Sequence, residues 1–552
     1  MCVVAVQCVA CTSQRTATNQ EIRRADYWIL LISRQTGIFF DITNMPKRKI
    51  TPVTQEPLER AKRTRSTVAS ASVPKSSPLK ALSRKPRATE AIQPTTAVAR
   101  LKQSPPKKAT IEKAIRKALP TGKLTLDTSS SGHLFVHGTN DAGQLSLEDP
   151  MAARRYPFRI PADKFGDEKI AKVVCGELHS LAVSETGKVF SWGCNDEGAL
   201  GTGKDDEENY EPKEVKGIDG KIVSVSAGDS HTAFLTEDGK IYLTGTMRDS
   251  SGAFGSRSDS KETCEYVPFL YHDPRRTDLR NDRAVKISSG QNHLAYLSGG
   301  GDVYAIGDHH NGQLGYVPSY RDDGGRMGKS YFLNKRRVCK FSGRRMLKFA
   351  DVWCTPYATF VKSATEDRWF ASGNNGRNQL GFPQKESEDG KKLDIETGWE
   401  EIEGFRDKSI VKIVGTAIQT IALSSDGKLY VCGDKEYLGL ADTAQTGPTD
   451  TPVAHPFANK VRDVSCSSNN AVICITDTGD VFVWGSPASS VLGLPKDDDD
   501  AVAVQQAKRI QDDGGEQQKR KPFEDFKMLQ VAAGAFHVLM IGQSKEAASS
   551  VV

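Results

Sequence analysis

Alternating apolar and polar residues recur along the chain in units of one length. Three of these units are VVCGELHSLAVSETGKVFSWG at 173–193, VSAGDSHTAFLTEDGKIYLTG at 225–245 and ISSGQNHLAYLSGGGDVYAIG at 287–307. In each, two alternating stretches flank a tight glycine turn, and the leading and closing glycines are seventeen residues apart. Alternation with a period of two is the pattern of half-buried strands. Each unit therefore predicts a β-hairpin.

The same pattern continues in weaker copies, and the two chain ends complete it. Copies follow at 352–373, 413–433 and 465–485. Residues 133–145 hold only the second half of a unit, and 531–541 hold only the first half. Joined, the two fragments make a seventh unit. The pattern predicts an all-β, seven-bladed β-propeller closed by pairing N- and C-terminal strands in one blade, with N-x-x-G-x-L-G forming the outer turn of each blade.

Charge separates the chain into segments of opposite sign. Residues 45–120 contain 19 Lys and Arg against 4 Asp and Glu, whereas residues 121–552 contain 52 against 62. The first segment is too polar to form a core, so we expect a disordered basic tail over 45–120, the propeller over 121–543 and a short C-terminal tail over 544–552. Residues 1–44 resemble neither the basic tail nor the propeller in composition. Met45 is therefore a second candidate for the first residue of the native protein.

Basic clusters in the tail predict nuclear localisation and contacts to DNA phosphates, although solvated linkers also carry such clusters. The residues concerned are Lys47, Arg48, Lys49, Lys62, Arg63, Arg65, Lys107 and Lys108.

The eleven cysteines are scattered and often lie in apolar runs, which favours a reducing compartment. No stretch is long and apolar enough to predict a membrane span, and Cys8 and Cys11 lack a second ligand pair at zinc spacing.

The repeat resembles that of the regulator of chromosome condensation family over about residues 130–541. The motifs that carry this resemblance are G-x-x-H-[ST], W-G and N-[DE]-x-G-x-L-G, as in GDSHT at 228–232 and CNDEGALG at 194–201. TMRDSSGAFG at 246–255 extends the third unit where the family has its β-wedge. The resemblance implies a chromatin-bound guanine-nucleotide exchange factor for the small GTPase Ran, which performs no covalent chemistry and needs no cofactor or metal.

The resemblance also implies which residues meet each partner. The residues assigned to the GTPase-binding face are Asp141, His179, Asp229, His231, Arg248, Asp249, Asn292, His293 and His537. The β-wedge is assigned to Met247, Arg248, Asp249, Ser250, Ser251, Gly252, Ala253 and Phe254. Arg344 and Arg345, between the fourth and fifth units, are assigned to the acidic patch of the nucleosome. An import receptor would bind the tail, and the protein would be nuclear and chromatin-associated.

Some features leave other interpretations open. The recurrent histidines are also explained if each one satisfies backbone groups near the central channel. Asn292 and Tyr316 stand where the family pattern has an aspartate and an arginine, which also fits a propeller scaffold or ubiquitin-ligase accessory without exchange activity. No G-x-x-x-x-G-K-[ST], H-E-x-x-H or G-x-S-x-G motif occurs, so no conventional hydrolase is indicated.

Overall fold

The computed structural model of the protein describes thirteen segments, all within one compact unit, Ala99–Val552. They are residues 108–149, 153–204, 208–276, 282–315, 333, 336–338, 341–342, 345–387, 389–440, 448–487, 490–494, 503–510 and 525–545. In these segments seven antiparallel sheets of four strands form a propeller. The predicted fold is confirmed.

Each blade is one sheet, and its strands are named here from the channel outwards. Blade 1 contains β31 (Phe526–Ala533), β32 (His537–Ser544), β1 (His133–Gly138) and β2 (Arg154–Arg159). Blade 2 contains β3 (Ile170–Cys175), β4 (His179–Ser184), β5 (Val189–Cys194) and β6 (Glu208–Glu214). Blade 3 contains β7 (Ile222–Ala227), β8 (His231–Thr236), β9 (Ile241–Gly245) and β12 (Glu265–His272). Blade 4 contains β13 (Ala284–Ser289), β14 (His293–Ser298), β15 (Val303–Gly307) and β16 (Arg336–Arg337).

The remaining three blades follow the same order. Blade 5 contains β19 (Phe349–Thr355), β20 (Ala358–Ser363), β21 (Trp369–Asn374) and β22 (Ile395–Glu401). Blade 6 contains β23 (Ile410–Gly415), β24 (Gln419–Ser424), β25 (Leu429–Gly433) and β26 (Val453–Ala454). Blade 7 contains β27 (Val461–Cys466), β28 (Ala471–Thr476), β29 (Val481–Gly485) and β30 (Val504–Arg509). Short 3₁₀ helices span Ala162–Phe165, Pro274–Arg276, Glu403–Phe405 and Lys435–Tyr437.

Blade 1 closes the ring with strands from both ends of the propeller sequence. β1 pairs with β32 from His133 opposite Gly542 to Gly138 opposite His537. The innermost strands then contact one another around the whole circle, including β31 with both β27 and β3. Closure leaves no blade at an open end of the array, which is how such repeats avoid unpaired terminal edges.

The apolar core lies between adjacent blades. Trp192 and Trp484, each followed by the closing glycine of its unit, are completely buried. Trp192 of blade 2, for example, packs in a cluster that includes Leu134 and Leu539 of blade 1. Because buried apolar surface contributes about 25 cal/mol per Å², these clusters hold neighbouring blades together. The W-G motif of the repeat thus supplies packing between blades.

The strand order separates the connections between two faces. Connections from the first to the second strand, and from the third to the fourth, lie on what we name the loop face. Connections from the second to the third strand, and from one blade to the next, lie on the opposite, turn face. Two extra hairpins extend these connections: β10 (Arg248–Asp249) with β11 (Gly252–Ala253) on the loop face, and β17 (Phe341–Ser342) with β18 (Arg345–Met346) on the turn face.

One helix differs from the sequence prediction. α1 (Lys108–Ala118) lies inside the stretch 45–120 that composition predicts to be disordered. Ile115 and the buried Leu119, four residues apart, pack on a cluster that contains Phe349 of blade 5. Leu119 directly follows α1, and its N–H donates to Ile115 O at 2.9 Å, which continues the helical turn and places both side chains on one face. Tertiary packing therefore stabilises a helix that the charged composition of the stretch does not predict. No helix in the described segments is long and apolar enough to cross a membrane.

Candidate functional site

The four recurrent histidines occupy the first position of the second strand in their blades. His179, His231, His293 and His537 each face the closing glycine of the unit, as in His231 opposite Gly245. Each ring lies over the glycine three residues earlier: a Cβ on Gly176 would be 2.0 Å from Cε1 of His179. The G-x-x-H motif therefore exists because only glycine leaves room for the ring.

Burial makes these imidazoles structural groups. All four side chains are completely or almost completely buried. Burial lowers the pKa to about 4 for His179 and His293, and to about 3 for His231 and His537, so the rings are neutral near pH 7. In two of them Nε2 contacts a threonine of the next blade at 3.0 Å: His179 contacts Thr232, and His293 contacts Thr359.

The threonine contacts fix which atom donates. Thr232 Oγ1 donates its own hydrogen to the carbonyl of Ala199 at 2.8 Å. It must therefore accept from Nε2–H of His179. Through these contacts His179 and His293 tie their blades to the next blade around the ring. The assignment of the four histidines to the GTPase-binding face stays a prediction. Because the four side chains are buried, they can act there only by supporting exposed residues that touch the partner.

Two carboxyl groups lie close together at the channel mouth on the loop face. Glu177 and Asp229 follow the leading glycines of blades 2 and 3. Burial, with the charge of Glu177, raises the pKa of Asp229 to about 7, and a hydrogen bond with Asn292 opposes this shift. Burial also raises the pKa of Glu177, although Ser468 Oγ donates to its carboxylate at 2.9 Å. We name this pair the acidic rim.

The predicted wedge segment forms a short hairpin beside the acidic rim. Arg248 pairs with Ala253 and Asp249 pairs with Gly252, around a turn at Ser250 and Ser251. The backbone N–H of Ser251 donates to Asp249 Oδ1 at 2.7 Å. Gly252 has φ of +116°, a conformation that L side chains rarely adopt, so its predicted role in the chain reversal is consistent with its backbone.

The ends of the predicted wedge segment lie in the core. Met247 is completely buried, and Phe254 is 9% exposed. The two residues pair through a bond from Phe254 N to Met247 O at 2.9 Å, and both pack among blades 3 and 4. Only 248–253 project from the loop face. We keep the name wedge hairpin for those six residues.

The wedge hairpin is fixed at its base by two neighbouring blades. Arg248 N donates to Asn292 Oδ1 at 2.9 Å, and Arg248 Nε donates to Glu197 Oε2 at 2.9 Å. Glu197 lies in the outer turn of blade 2, and Asn292 precedes β14 of blade 4. Asn292 therefore joins the wedge hairpin to the acidic rim, since it also bonds to Asp229. Asp141 is exposed in the outer turn of blade 1, on the same face.

One group on the loop face has the residue types of a metal site. Ligand atoms of Asp308, His309 and His310 lie within 4.8 Å of one another, and no other such group occurs among the described residues. The Asp308 carboxylate already accepts from His310 Nδ1 at 2.5 Å and from Gln313 Nε2 at 2.8 Å. These two hydrogen bonds hold together the outer turn that follows β15 in blade 4.

Comparison with known proteins agrees with this architecture. The profile of the RCC1-like domain matches residues 133–546. The regulator of chromosome condensation of Xenopus laevis is 31% identical over 432 residues, which cover 77% of this chain and 93% of that protein. The chain belongs to the regulator of chromosome condensation family.

Solved structures of the family show the same fold. Prp20p of Saccharomyces cerevisiae, described with its binding properties to Gsp1p and histones, superposes with a TM-score of 0.63 at 23% identity, over 77% of this chain and 95% of that one. Yeast RCC1 (Prp20) bound to Kap60 superposes with a TM-score of 0.61 at 22% identity, over 83% of this chain and 98% of that one.

The family assignments on the turn face are only partly described. Arg345 begins β18, in the hairpin between blades 4 and 5 where sequence analysis placed the nucleosome contact. Arg344 and the side chain of Arg345 lie outside the described residues, as does Tyr316. The tail residues Lys47, Arg48, Lys49, Lys62, Arg63, Arg65 and Lys107, and the side chain of Lys108, also lie outside them.

Sequence analysis missed two residues of this site. Glu177 and Glu197 were not singled out. Glu177 aligns with Asp229, one residue after the leading glycine, and this alignment was the available signal. The sequence offered no comparable signal for Glu197, because only the fold brings the outer turn of blade 2 beside Arg248 of blade 3.

Proposed function

We propose that the protein is a guanine-nucleotide exchange factor for Ran, and that the loop face binds the GTPase. The observation that carries this proposal is the wedge hairpin, anchored to Asn292 and Glu197 immediately beside the acidic rim. A short projection held by two blades can press into a partner without bending. The family membership of the chain supports the same activity.

The exchange reaction needs no bond-making group in this chain. A small GTPase holds its nucleotide through a phosphate-binding loop and Mg²⁺. An exchange factor binds the nucleotide-free GTPase more tightly than the loaded form, and so lowers the barrier to release. In our proposal the wedge hairpin stabilises the displaced loop, while the acidic rim pairs with basic groups of the GTPase. Such complementary charge speeds encounter and fixes orientation.

The raised pKa of Asp229 is consistent with a carboxyl group that binds a cationic side chain of a partner. In the free protein its charged form is disfavoured by burial and by Glu177. A lysine or arginine of the partner would remove that cost and form a charge-assisted hydrogen bond. The acidic rim therefore gains more from a basic partner than a well-solvated carboxylate would, since part of its desolvation is already complete.

We expect the full chain to accelerate release of a fluorescent guanine nucleotide from Ran, and Asp229→Asn and Arg248→Ala to reduce that rate by about tenfold or more.

Asp229→Asn should also raise the free energy of unfolding at pH 8 by about 1 kcal/mol. The folded pKa of Asp229 lies above its unfolded value, so the wild type loses stability as the pH rises through about 7, whereas asparagine stays neutral.

The matched control is Asp238→Asn, a carboxylate of the same blade in the turn after β8, on the turn face. It should leave exchange unchanged. A folded wild-type chain that does not accelerate release would contradict the proposal, and would favour a nuclear propeller scaffold or ubiquitin-ligase accessory. Equal losses from the Asp238 and Asp229 variants would remove the acidic rim from the mechanism.

The turn face and the tail are proposed to bind chromatin. α1 packs on the turn face against a cluster that includes Leu347, which directly follows the β17–β18 hairpin. We assign the tail to DNA and to an import receptor, and Arg344 with Arg345 to the acidic surface of the histone octamer. Arginine suits this contact because its planar guanidinium binds carboxylates through two hydrogen bonds. Exchange and nuclear chromatin binding would then use opposite faces.

In a nucleosome pull-down, Arg344→Ala with Arg345→Ala should reduce retention of the full chain by about tenfold, because two charge-assisted contacts are lost. Lysine substitutions at both positions keep the charge and should restore retention only in part. Unchanged retention of the double alanine variant would remove the hairpin from the proposed contact, while normal nucleotide exchange by the same variant would show that the propeller is intact.

A further inference from the structure

The central channel contains a belt of polar residues, away from the loop face, that has no part in the proposed exchange site. One residue comes from the innermost strand of each blade, and all seven are only partly exposed. In order from blade 1 to blade 7 they are Gln530, Lys172, Ser224, Lys286, Asp351, Lys412 and Asp463. We name this set the channel belt.

The backbone aims these side chains in the same way in every blade. Each innermost strand shows a register irregularity immediately before its belt residue, as between Ile170 and Lys172 and between Met528 and Gln530. The other five strands repeat it. A β-bulge turns the following side chain out of the regular alternation. Seven such irregularities at equivalent positions make the channel belt a repeated feature of this fold.

Most belt residues bond to the next blade. Lys286 Nζ contacts Asp351 Oδ1 at 2.5 Å, and Lys412 Nζ contacts Asp463 Oδ1 at 2.6 Å. Asp463 Oδ2 also accepts from Val531 N at 2.9 Å. Two of the three lysines are thus neutralised by a carboxylate on the neighbouring strand.

The third lysine has a different neighbour. Lys172 Nζ donates to Ser224 Oγ at 2.9 Å, and serine carries no charge. Burial lowers the pKa of Lys172 to about 8; the charges of Lys286 and Lys412 lower it further, and the charge of Asp463 opposes the shift. The channel belt holds three lysines and two aspartates, so it has one more positive than negative charge. A buried cation is costly unless a counterion lies beside it.

We propose that a small inorganic anion, chloride or phosphate, binds in the channel at Lys172 and Ser224. Lys172 supplies the positive charge, and Ser224 retains a hydroxyl hydrogen to donate, because it accepts its bond from Lys172. The anion takes the place that a third aspartate would fill, and it joins blade 2 to blade 3 as Asp351 and Asp463 join the other pairs.

The test is thermal unfolding of the full chain in chloride or phosphate, with gluconate keeping the ionic strength constant. Binding to the folded state alone raises the melting temperature with concentration. The wild type should show a saturable rise with at least one of the two anions. Lys172→Met should lose that rise, or need roughly tenfold more anion. Ser224→Asp should be as stable in gluconate as the wild type is with the bound anion, and should respond to neither.

Lys428→Met is the matched control, since this exposed lysine pairs with Asp426 in a turn outside the channel. It should keep the wild-type response. Equal responses of the wild type and both belt variants would show a general salt effect and overturn the proposal, as would a wild type without any saturable response. If Lys172→Met does not fold, Ser224→Asp decides the question alone. Chloride and phosphate are distinguished by which of them saturates at the lower concentration.

Discussion

Trimming the wedge hairpin to its base is expected to lower the rate of nucleotide release from Ran by about 100-fold, equivalent to about 2.7 kcal/mol of transition-state stabilisation. The change replaces 248–253 with Asn-Gly, a pair suited to a two-residue turn. The effect should be large because Arg248 and Asp249 are removed together with the projection itself. The measurement is kcat/KM for release of a fluorescent nucleotide by the full chain.

The propeller should survive this trimming because its attachment points stay in the core. Met247 and Phe254 remain buried and bonded to each other, so the shortened loop closes on the same base. The melting temperature should change by only a few degrees. The matched control trims the hairpin 341–346 on the turn face and should exchange normally. A trimmed wedge with wild-type kcat/KM would exclude the hairpin from the reaction.

Valine in place of Gly138 is expected to destabilise the propeller by about 3 kcal/mol or more. Gly138 ends β1, where the N-terminal strand pairs with His537 of β32. Its φ is +118°, and a Cβ there would lie 2.2 Å from the carbonyl oxygen of Phe536. A β-branched residue cannot adopt this backbone, and the oxygen belongs to the main chain and cannot swing aside. Strand pairing in blade 1 must therefore loosen.

Chemical denaturation of the full chain measures this effect, with Gly122→Ala as the control. Gly122 precedes the propeller strands, has nothing within 4 Å of its built Cβ and lies outside the left-handed region. Alanine there should be neutral or slightly stabilising, because it restricts the unfolded chain. A Gly138→Val variant with wild-type stability would mean that blade 1 tolerates a shifted β1, and that ring closure is looser than its pairing indicates.

The fold was predictable because its physical causes are local and repeated. Period-two alternation, a glycine turn and a glycine under each histidine are visible in any single unit, and complementary half units predict the closure. The wedge hairpin was also predictable as an insertion in the third unit. The burial of Met247 and Phe254 at its ends was not, because it arises from packing among blades 3 and 4.

Features that depend on contacts between blades were beyond sequence analysis. The Arg248–Glu197 pair joins two blades, and the channel belt becomes visible only when the seven innermost strands are placed in a circle. α1 was missed because apolar Ile115 and Leu119 are surrounded by charges that dominate composition. Asn292, where the family pattern has an aspartate, links the wedge hairpin to the acidic rim. The repeat pattern does not predict this contact.

Closure by β32 has a consequence for biosynthesis. Residues 537–544 are needed to pair with β1, yet more than 390 residues separate the two strands in the sequence. While the ribosome is still translating blade 7, five complete blades can already be outside the exit tunnel, and β1 is paired only with β2. A nascent chain that stalls there exposes an edge strand, the kind of surface that promotes aggregation and that chaperones cover. The ring can therefore close only after the last strand has been synthesised.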